Sequence, residues 1–358
     1  MKNTKSKRII RGVSLFSSAG IGEAFFRDLG VKIIVANELL EDRAKLYSNL
    51  YKDTNMIVGD ILNKKVFKEI LEKSGKNIDL LIATPPCQGM SMAGKNRDQK
   101  AMLSDQRNHL VFKIIDFINI KKPKYVLIEN VPTFLKIKLP FKNKLLTLEE
   151  ILSNLYGKNY EIEARVMDTS EYGVPQKRTR AIIKMHKKGL KWSWPTKEKS
   201  KTVQEAIGHL PSLEAGQKSN IPWHFARKHS RDHILWMRNT PTGKSAFENK
   251  KYYPQKENGV KIKSYMTTYR RIKWEEPSPT ITMRNDAISS QLNVHPGRRL
   301  KDGTYSDARV LTPLELMLLS SLPENWAVPQ NTREILIRKC LGESVPPLLL
   351  KKVISGIK

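Results

Sequence analysis

The sequence predicts an α/β protein, a doubly wound and mostly parallel sheet joined to a smaller basic domain. Three observations carry this. Short apolar runs alternate with longer mixed segments from residue 12 to about residue 184; small or polar residues cluster where those runs end; and the composition changes after residue 184. Runs at 12–16, 33–36, 79–83, 124–129, 162–167 and 181–185 read as strands. Residues 103–120 and 148–156 carry apolar side chains at helical spacing. Ligands of such sheets sit at the carboxyl ends of the strands.

Beyond residue 184 the alternation weakens, and Trp192, Trp194, Trp223, Trp236 and Trp274 appear among prolines, histidines and basic residues. Residues 184–275 hold 21 lysines and arginines against 7 acids, close to half of the whole positive excess. The expected division is therefore a sheet domain over 1–186, a basic domain over 187–275 and a closing segment over 276–358. That segment has a helix at 313–322 and a turn at 342–347, and its last part returns to the sheet domain.

Lys and Arg number 64 against 35 Asp and Glu, a net charge of +29 with a pI near 10.0, so a polyanion is the expected partner. No run approaches the roughly 20 apolar residues of a membrane span. The first residues are polar and basic without the apolar stretch of a secretory signal, which predicts a cytoplasmic location. Two cysteines, Cys87 and Cys340, exclude a disulfide framework or a four-cysteine zinc site, and no metal is expected.

The first strand runs into Phe16-Ser17-Ser18-Ala19-Gly20-Ile21-Gly22, where small residues let a ligand approach the backbone; the same residues also make an ordinary strand-to-helix turn. Glu38 ends the second strand, placed to accept from ribose hydroxyls, and Asp60, in Val58-Gly59-Asp60-Ile61, takes the comparable place after a third. Either acid serves equally as a helix cap. Thr84-Pro85-Pro86-Cys87-Gln88-Gly89 follows the strand at 79–83. Cysteine is ordinarily a small buried hydrophobe, but a loop stiffened by two prolines is a poor place for one and a good place for a nucleophile. Glu129-Asn130-Val131-Pro132 follows another strand, where partial burial would raise a carboxyl pKa and let it donate a proton, the alternative being an acid that caps the following turn. In Gly173-Val174-Pro175-Gln176-Lys177-Arg178-Thr179-Arg180, alternation predicts Gln176, Arg178 and Arg180 on one side, two fixed cations for an anionic substrate.

Taken in order, Pro86-Cys87-Gln88, Glu129-Asn130-Val131 and Gln176-x-Arg178-x-Arg180 resemble the motifs of the cytosine-C5 DNA methyltransferases. The likeness extends over almost the whole chain, with Arg309-Val310-Leu311-Thr312-Pro313-Leu314-Glu315 and the turn at 342–347 similar to the closing motifs. The resemblance implies a Rossmann-like S-adenosylmethionine-dependent fold and methyl transfer to C5 of a flipped-out cytosine in duplex DNA. It makes Cys87 the nucleophile at C6, Glu129 the group that holds and protonates N3, and Arg180, supported by Arg178, the contact to base and phosphate. Phe16 would pack on the adenine of the cofactor, Glu38 bind its ribose hydroxyls and Asp60 its adenine amino group, with Ile61 also at the cofactor site. Gly20, Gly22 and Pro86 would shape the pocket. It also implies that residues 187–275 form the target recognition domain, where Arg238, Asn239 and Arg270 are candidate base or phosphate contacts. A monomeric restriction-modification enzyme paired with an endonuclease is the implied setting, and a tRNA cytosine-C5 methyltransferase is the alternative. Three departures stand out: Ser14 replaces the acid that usually opens the first motif, Ser18 and Ile21 replace glycines, and Glu343 replaces an asparagine.

Overall fold

The computed structural model describes residues 9–86 and 110–358; Cys87 and the first part of the helix expected at 103–120 lie outside the described residues. The chain divides into two compact units, one of Met1–Asp168, Thr179–Pro195 and Lys351–Lys358, the other of Thr169–Arg178 and Thr196–Leu350.

The first unit holds a seven-stranded sheet made of β1 (Ile10–Leu15), β2 (Val31–Glu38), β3 (Asn55–Val58), β4 (Leu80–Ala83), β5 (Tyr125–Asn130), β8 (Tyr160–Asp168) and β9 (Thr179–Lys187), with β6 (Lys138–Phe141) and β7 (Lys144–Thr147) forming a separate hairpin. Strand order is β3-β2-β1-β4-β5-β9-β8. Pairing is parallel from β3 through β5, and β9 alone runs against the rest. β4 and β5 are buried at every position, as their continuous Leu, Ile and Val require of central strands covered on both faces. Helices Glu41–Leu50, Lys64–Ser74, Leu110–Lys121 and Leu148–Tyr156 accompany the sheet. The last begins where Thr147 accepts from the Glu150 amide and Glu150 returns the bond, a capping box written directly in the sequence. The chain leaves β1 toward β2 on one side and meets β4 on the other, so the switch point of the sheet lies at the carboxyl ends of β1 and β4.

The expected fold class holds, and all six expected strands are present, most of them longer than the apolar runs that marked them. The four-residue β3 has no clear pattern of its own, being exposed at both ends.

The second unit contains, among the described residues, short helices and isolated bridges in place of a sheet. Its apolar core gathers Trp236, Met237, Phe247, Tyr269, Ile288, Val294 and Val310. Around that core lie three buried guanidiniums. Arg271 donates to the carbonyls of Met237, His295, Ser306 and Asp307; Arg309 bridges Asp307 and Glu315; Arg338 reaches Asn285, Leu311 and Glu334. These bonds knit residues 237–338 together, so the boundaries expected at 187 and 276 do not coincide with the observed division. The helix expected at 313–322 ends at Leu319, because Ser321 turns to φ 64° ahead of Pro323.

Candidate active site

The turn after β1 is held open by neighbouring strand ends. Phe16 (φ 61°) and Ser18 (φ 48°) both adopt the left-handed region, which costs about 1–3 kcal/mol at each non-glycine position and persists only where the surroundings impose it. Those surroundings are visible. Ser17 donates its amide to the Asn37 carbonyl (2.9 Å), Ser18 its amide to Glu38 Oε2 (2.8 Å), and the Thr84 hydroxyl binds the Phe16 carbonyl (2.9 Å). Gly20 (φ 71°) has no alternative: a Cβ there would sit 2.4 Å from the Tyr51 ring, whose hydroxyl donates to the Gly20 carbonyl at 2.6 Å. Gly22 lies in the 3-10 turn Ile21–Glu23 that follows.

Glu38 ends β2 as expected and is buried, with Oε1 accepting the Leu40 amide (2.9 Å). Each carboxylate oxygen therefore holds one amide and keeps a further acceptor position. Register sets Glu38 beside Val58, and the exposed Leu39, Leu40 and Val58 add an apolar rim at these strand ends that the sequence reading missed. Acceptors at a strand end next to an apolar rim fit a ribose and a flat base. Asp60 is exposed and caps its own turn through the Leu62 amide (2.9 Å). The Ile61 side chain is part of the core, so its backbone is the part of it open to a ligand.

A second missed feature explains the departure at Ser14. Its hydroxyl donates to Glu23 Oε1 at 2.5 Å, while the Tyr47 hydroxyl donates to Oε2 at 2.5 Å. The acid absent from the strand is thus present nine residues later, inside the fold. Burial pushes the Glu23 carboxyl up to about 7, against the two hydroxyls that favour its charged form.

Cys87 lies outside the described residues; the segment leading to it does not. Thr84 is tied to Phe16 on one side, and the Asn130 amide donates to the Pro85 carbonyl at 3.0 Å on the other, with Asn130 Oδ1 accepting the Val131 amide at 2.8 Å. β4 and β5 are neighbours, so Pro85-Pro86 and Glu129-Asn130 emerge side by side. Glu129, almost wholly buried, meets Arg180 Nε at 2.9 Å. β9 pairs antiparallel with β5, so it enters the sheet beside the end of β5; Asn130 pairs with Ala181.

Gln176 and Arg178 belong to the second unit. Gln176 accepts the Ile281 amide (3.3 Å) and donates to the Leu319 carbonyl (3.4 Å). Arg178, 2% exposed, donates to the carbonyls of Ile281 (2.8 Å) and Gly342 (3.0 Å). Alternation along 176–180 predicted two substrate-facing cations, but residues 169–178 belong to the second unit and the strand begins only at Thr179, so the alternation breaks. Gly342 abuts the backbone at Thr282, where a Cβ would approach to 2.4 Å. Of the candidate readers, Arg270 is a brace, donating to the carbonyls of Met266 and Gly243 and to Glu248; Asn239 donates to the Leu235 carbonyl, and Arg238 is exposed.

Residues 10–358 match the family described as C-5 cytosine-specific DNA methylase. The chain is 54% identical over 352 residues, 98% of its length and 99% of the relative's, to the Type II methyltransferase M1.HgaI of Avibacterium volantium. It is 27% identical to M1.HphI of Haemophilus parahaemolyticus, covering 96% of this chain and 86% of that one. Among solved structures, a protein encoded within an E. coli prophage superposes with a TM-score of 0.69 at 19% identity, over 97% of this chain and 98% of that one, and the Entamoeba histolytica methyltransferase EhMeth with 0.62 at 16%, over 98% of each.

Proposed function

Because the chain belongs to the C-5 cytosine-specific DNA methylases, and is thus a DNA cytosine-C5 methyltransferase that uses S-adenosylmethionine, we propose that it works through a covalent bond from Cys87 to a cytosine rotated out of duplex DNA. The observation that carries this reading is the Glu129–Arg180 pair beside a proline loop pinned by Thr84 and Asn130.

The bound cofactor supplies an electrophilic methyl group on a sulfonium. C5 of cytosine is too weak a nucleophile to take it unaided. The Cys87 thiolate adds to C6, forming the S–C6 bond, while Glu129, in its protonated form, gives its proton to N3; the electron pair of the C5–C6 double bond becomes an enamine whose C5 takes the methyl group, the methyl–sulfur bond breaking with its pair left on the neutral thioether. Loss of the C5 proton to water then re-forms the C5–C6 double bond and expels the thiolate, and N3 gives its proton back to Glu129 as the ring is restored. Arg180 orients Glu129 and faces the phosphate of the rotated nucleotide, and rotation is required because C5 and C6 are inaccessible within the stack. Phe16 packs on the adenine, Glu38 accepts from the ribose hydroxyls, Asp60 and the Ile61 backbone meet the adenine edge, and Gly20, Gly22 and Pro86 give the backbone its close approach. The second unit supplies target recognition, and a cognate endonuclease is the expected counterpart. The relatives named above favour DNA over the tRNA alternative.

Duplex DNA bearing 5-fluorocytosine at the modified position, incubated with enzyme and S-adenosylmethionine, is expected to give a denaturation-resistant complex with the wild type and none with Cys87→Ala. If the wild type methylates ordinary DNA but never becomes trapped, the covalent route is wrong.

A further inference from the structure

Exposed apolar side chains are not spread evenly over the protein. Fourteen large ones are exposed among the described residues, and four of them, Tyr252, Val260, Tyr265 and Met266, fall within fifteen residues of the second unit. Tyr265 is 76% exposed and Met266 47%. The same stretch, 250–266, holds five lysines, Lys250, Lys251, Lys256, Lys261 and Lys263, against the single acid Glu257. All five are exposed, and none is ion-paired among the described residues.

The backbone under these side chains is ordered by hydrogen bonds. A hairpin-like excursion closes through Ile262 N to the Pro254 carbonyl (3.0 Å) and Lys256 N to the Val260 carbonyl (2.9 Å), turning at Gly259 (φ 79°), and Lys261 Nζ anchors its root on the Phe247 carbonyl (3.1 Å). The next turn closes on itself: Thr268 donates its amide (2.9 Å) and hydroxyl (2.7 Å) to the Tyr265 carbonyl, and Arg270 Nε binds the Met266 carbonyl (2.7 Å). Tyr265 and Met266 are thus presented from a braced crest. A turn that spends three hydrogen bonds on holding two apolar side chains in water has the form of a contact surface.

We infer that this crest is the surface through which the second unit reads duplex DNA, with Lys250, Lys251, Lys256 and Lys263 on phosphates and Tyr265 and Met266 entering the groove against base edges. The inference rests on the functional reading above and names the residues that serve it. Charge selects the occupant: a second copy would bring the same excess of positive charge to the contact, whereas a polyanion neutralises it. Lysines give affinity without sequence information, and apolar and aromatic side chains in a groove discriminate between base steps.

Two surface variants separate these roles, Tyr265→Ser combined with Met266→Ser, and Lys250→Ala combined with Lys256→Ala and Lys263→Ala. The probes are a duplex carrying the site that the wild type methylates and a scrambled duplex of equal length, each titrated across salt concentrations. The apolar variant is expected to lose about 10- to 100-fold of cognate affinity, with scrambled binding, salt slope and melting temperature unchanged. The lysine variant is expected to weaken both duplexes alike and to reduce the salt slope by about 3. Unchanged cognate affinity in the apolar variant overturns the inference. So does a variant whose DNA binding is intact while self-association, by sedimentation, or binding to anionic phosphatidylserine vesicles is lost. A wild type that binds neither duplex removes the functional reading and this inference together; a wild type that methylates its site no better than the apolar variant removes this inference alone.

Discussion

The two units solve the same problem by opposite means. Folded backbone must satisfy its buried amides and carbonyls, and the first unit does so with ladders: seven strands exchange their bonds, and Leu, Ile and Val fill the space between sheet and helices. The second unit has no such ladder among its described residues, and its three largest fully buried side chains are Arg271, Arg309 and Arg338. Each guanidinium offers five donors in a rigid fork, enough to collect the carbonyls that irregular loops leave over. Where periodic pairing is absent, buried cations take its place. A unit held this way can carry irregular surface loops, as a reader of varied DNA sequences must.

The largest effect expected from this contrast is on stability. Arg271→Met would leave the carbonyls of Met237, His295, Ser306 and Asp307 without that donor, and each buried carbonyl left unpaired costs about 1–3 kcal/mol. Hydrogen exchange should show protection lost over residues 237–310 while β1, β4 and β5 keep theirs. Leu81→Ala in the centre of β4 should do the reverse at about 2–5 kcal/mol. If both variants open the same segments first, the two units are not separately held and the comparison fails.

The same contrast explains what could be read from the sequence. β1, β2, β4, β5, β8 and β9 announce themselves because an apolar strand has a short period and a sharp end, and the ends carry Phe16, Glu38, Pro86 and Glu129. The helix at Leu148–Tyr156 is legible to the residue through Thr147 and Glu150. Arg271 and Arg309 look, as letters, like any other surface cation; their burial depends on carbonyls up to 96 residues away in sequence, which no local pattern encodes. The bonds of Arg178 to the carbonyls of Ile281 and Gly342 were hidden for a related reason, since the alternation at 176–180 runs across a break between units. Glu23 was hidden because its partners, Ser14 and Tyr47, come from different elements. Its only signal was the missing acid at Ser14.

Acid and base should also act on the two units in opposite senses. The Glu23 carboxyl, normally near 4.5, stands at about 7 in the folded protein. The unfolded chain therefore releases that proton first, so the contribution is whole below about 4.5 and falls as pH rises toward 7, by about 3 kcal/mol in total. His295 runs the other way: burial, with Arg309 beside it, pushes its imidazole down to about 3. Its contribution is whole above about 6.5 and is lost as pH falls toward 3. Asp307, held well below the usual carboxylate range by the Arg309 guanidinium despite its burial, works in the same sense. Hydrogen exchange corrected for intrinsic rates should show sheet protection falling from pH 5 to 7, a slope that Glu23→Gln removes. Second-unit protection should fall below pH 6, a slope that His295→Asn reduces. A sheet slope unchanged in Glu23→Gln would place the titrating group elsewhere.

The smallest effect tests the place where the two units share one motif. Arg178 and Arg180 are two residues apart and of one type, yet Arg180 meets Glu129 at 2.9 Å in the sheet unit, and Arg178 donates to the carbonyls of Ile281 and Gly342 in the other. Lysine keeps the charge but loses the fork, so Arg178→Lys can satisfy only part of that pair and should lower second-unit stability by about 1–2 kcal/mol. Single-turnover methylation by pre-bound enzyme should stay within about twofold of wild type. Arg180→Lys should leave stability nearly untouched and slow the same single turnover by about tenfold, because a point charge no longer fixes Glu129 in orientation. Equal slowing by both variants would mean that Arg178 acts at the reacting base after all, returning the motif to the paired role its alternation suggests.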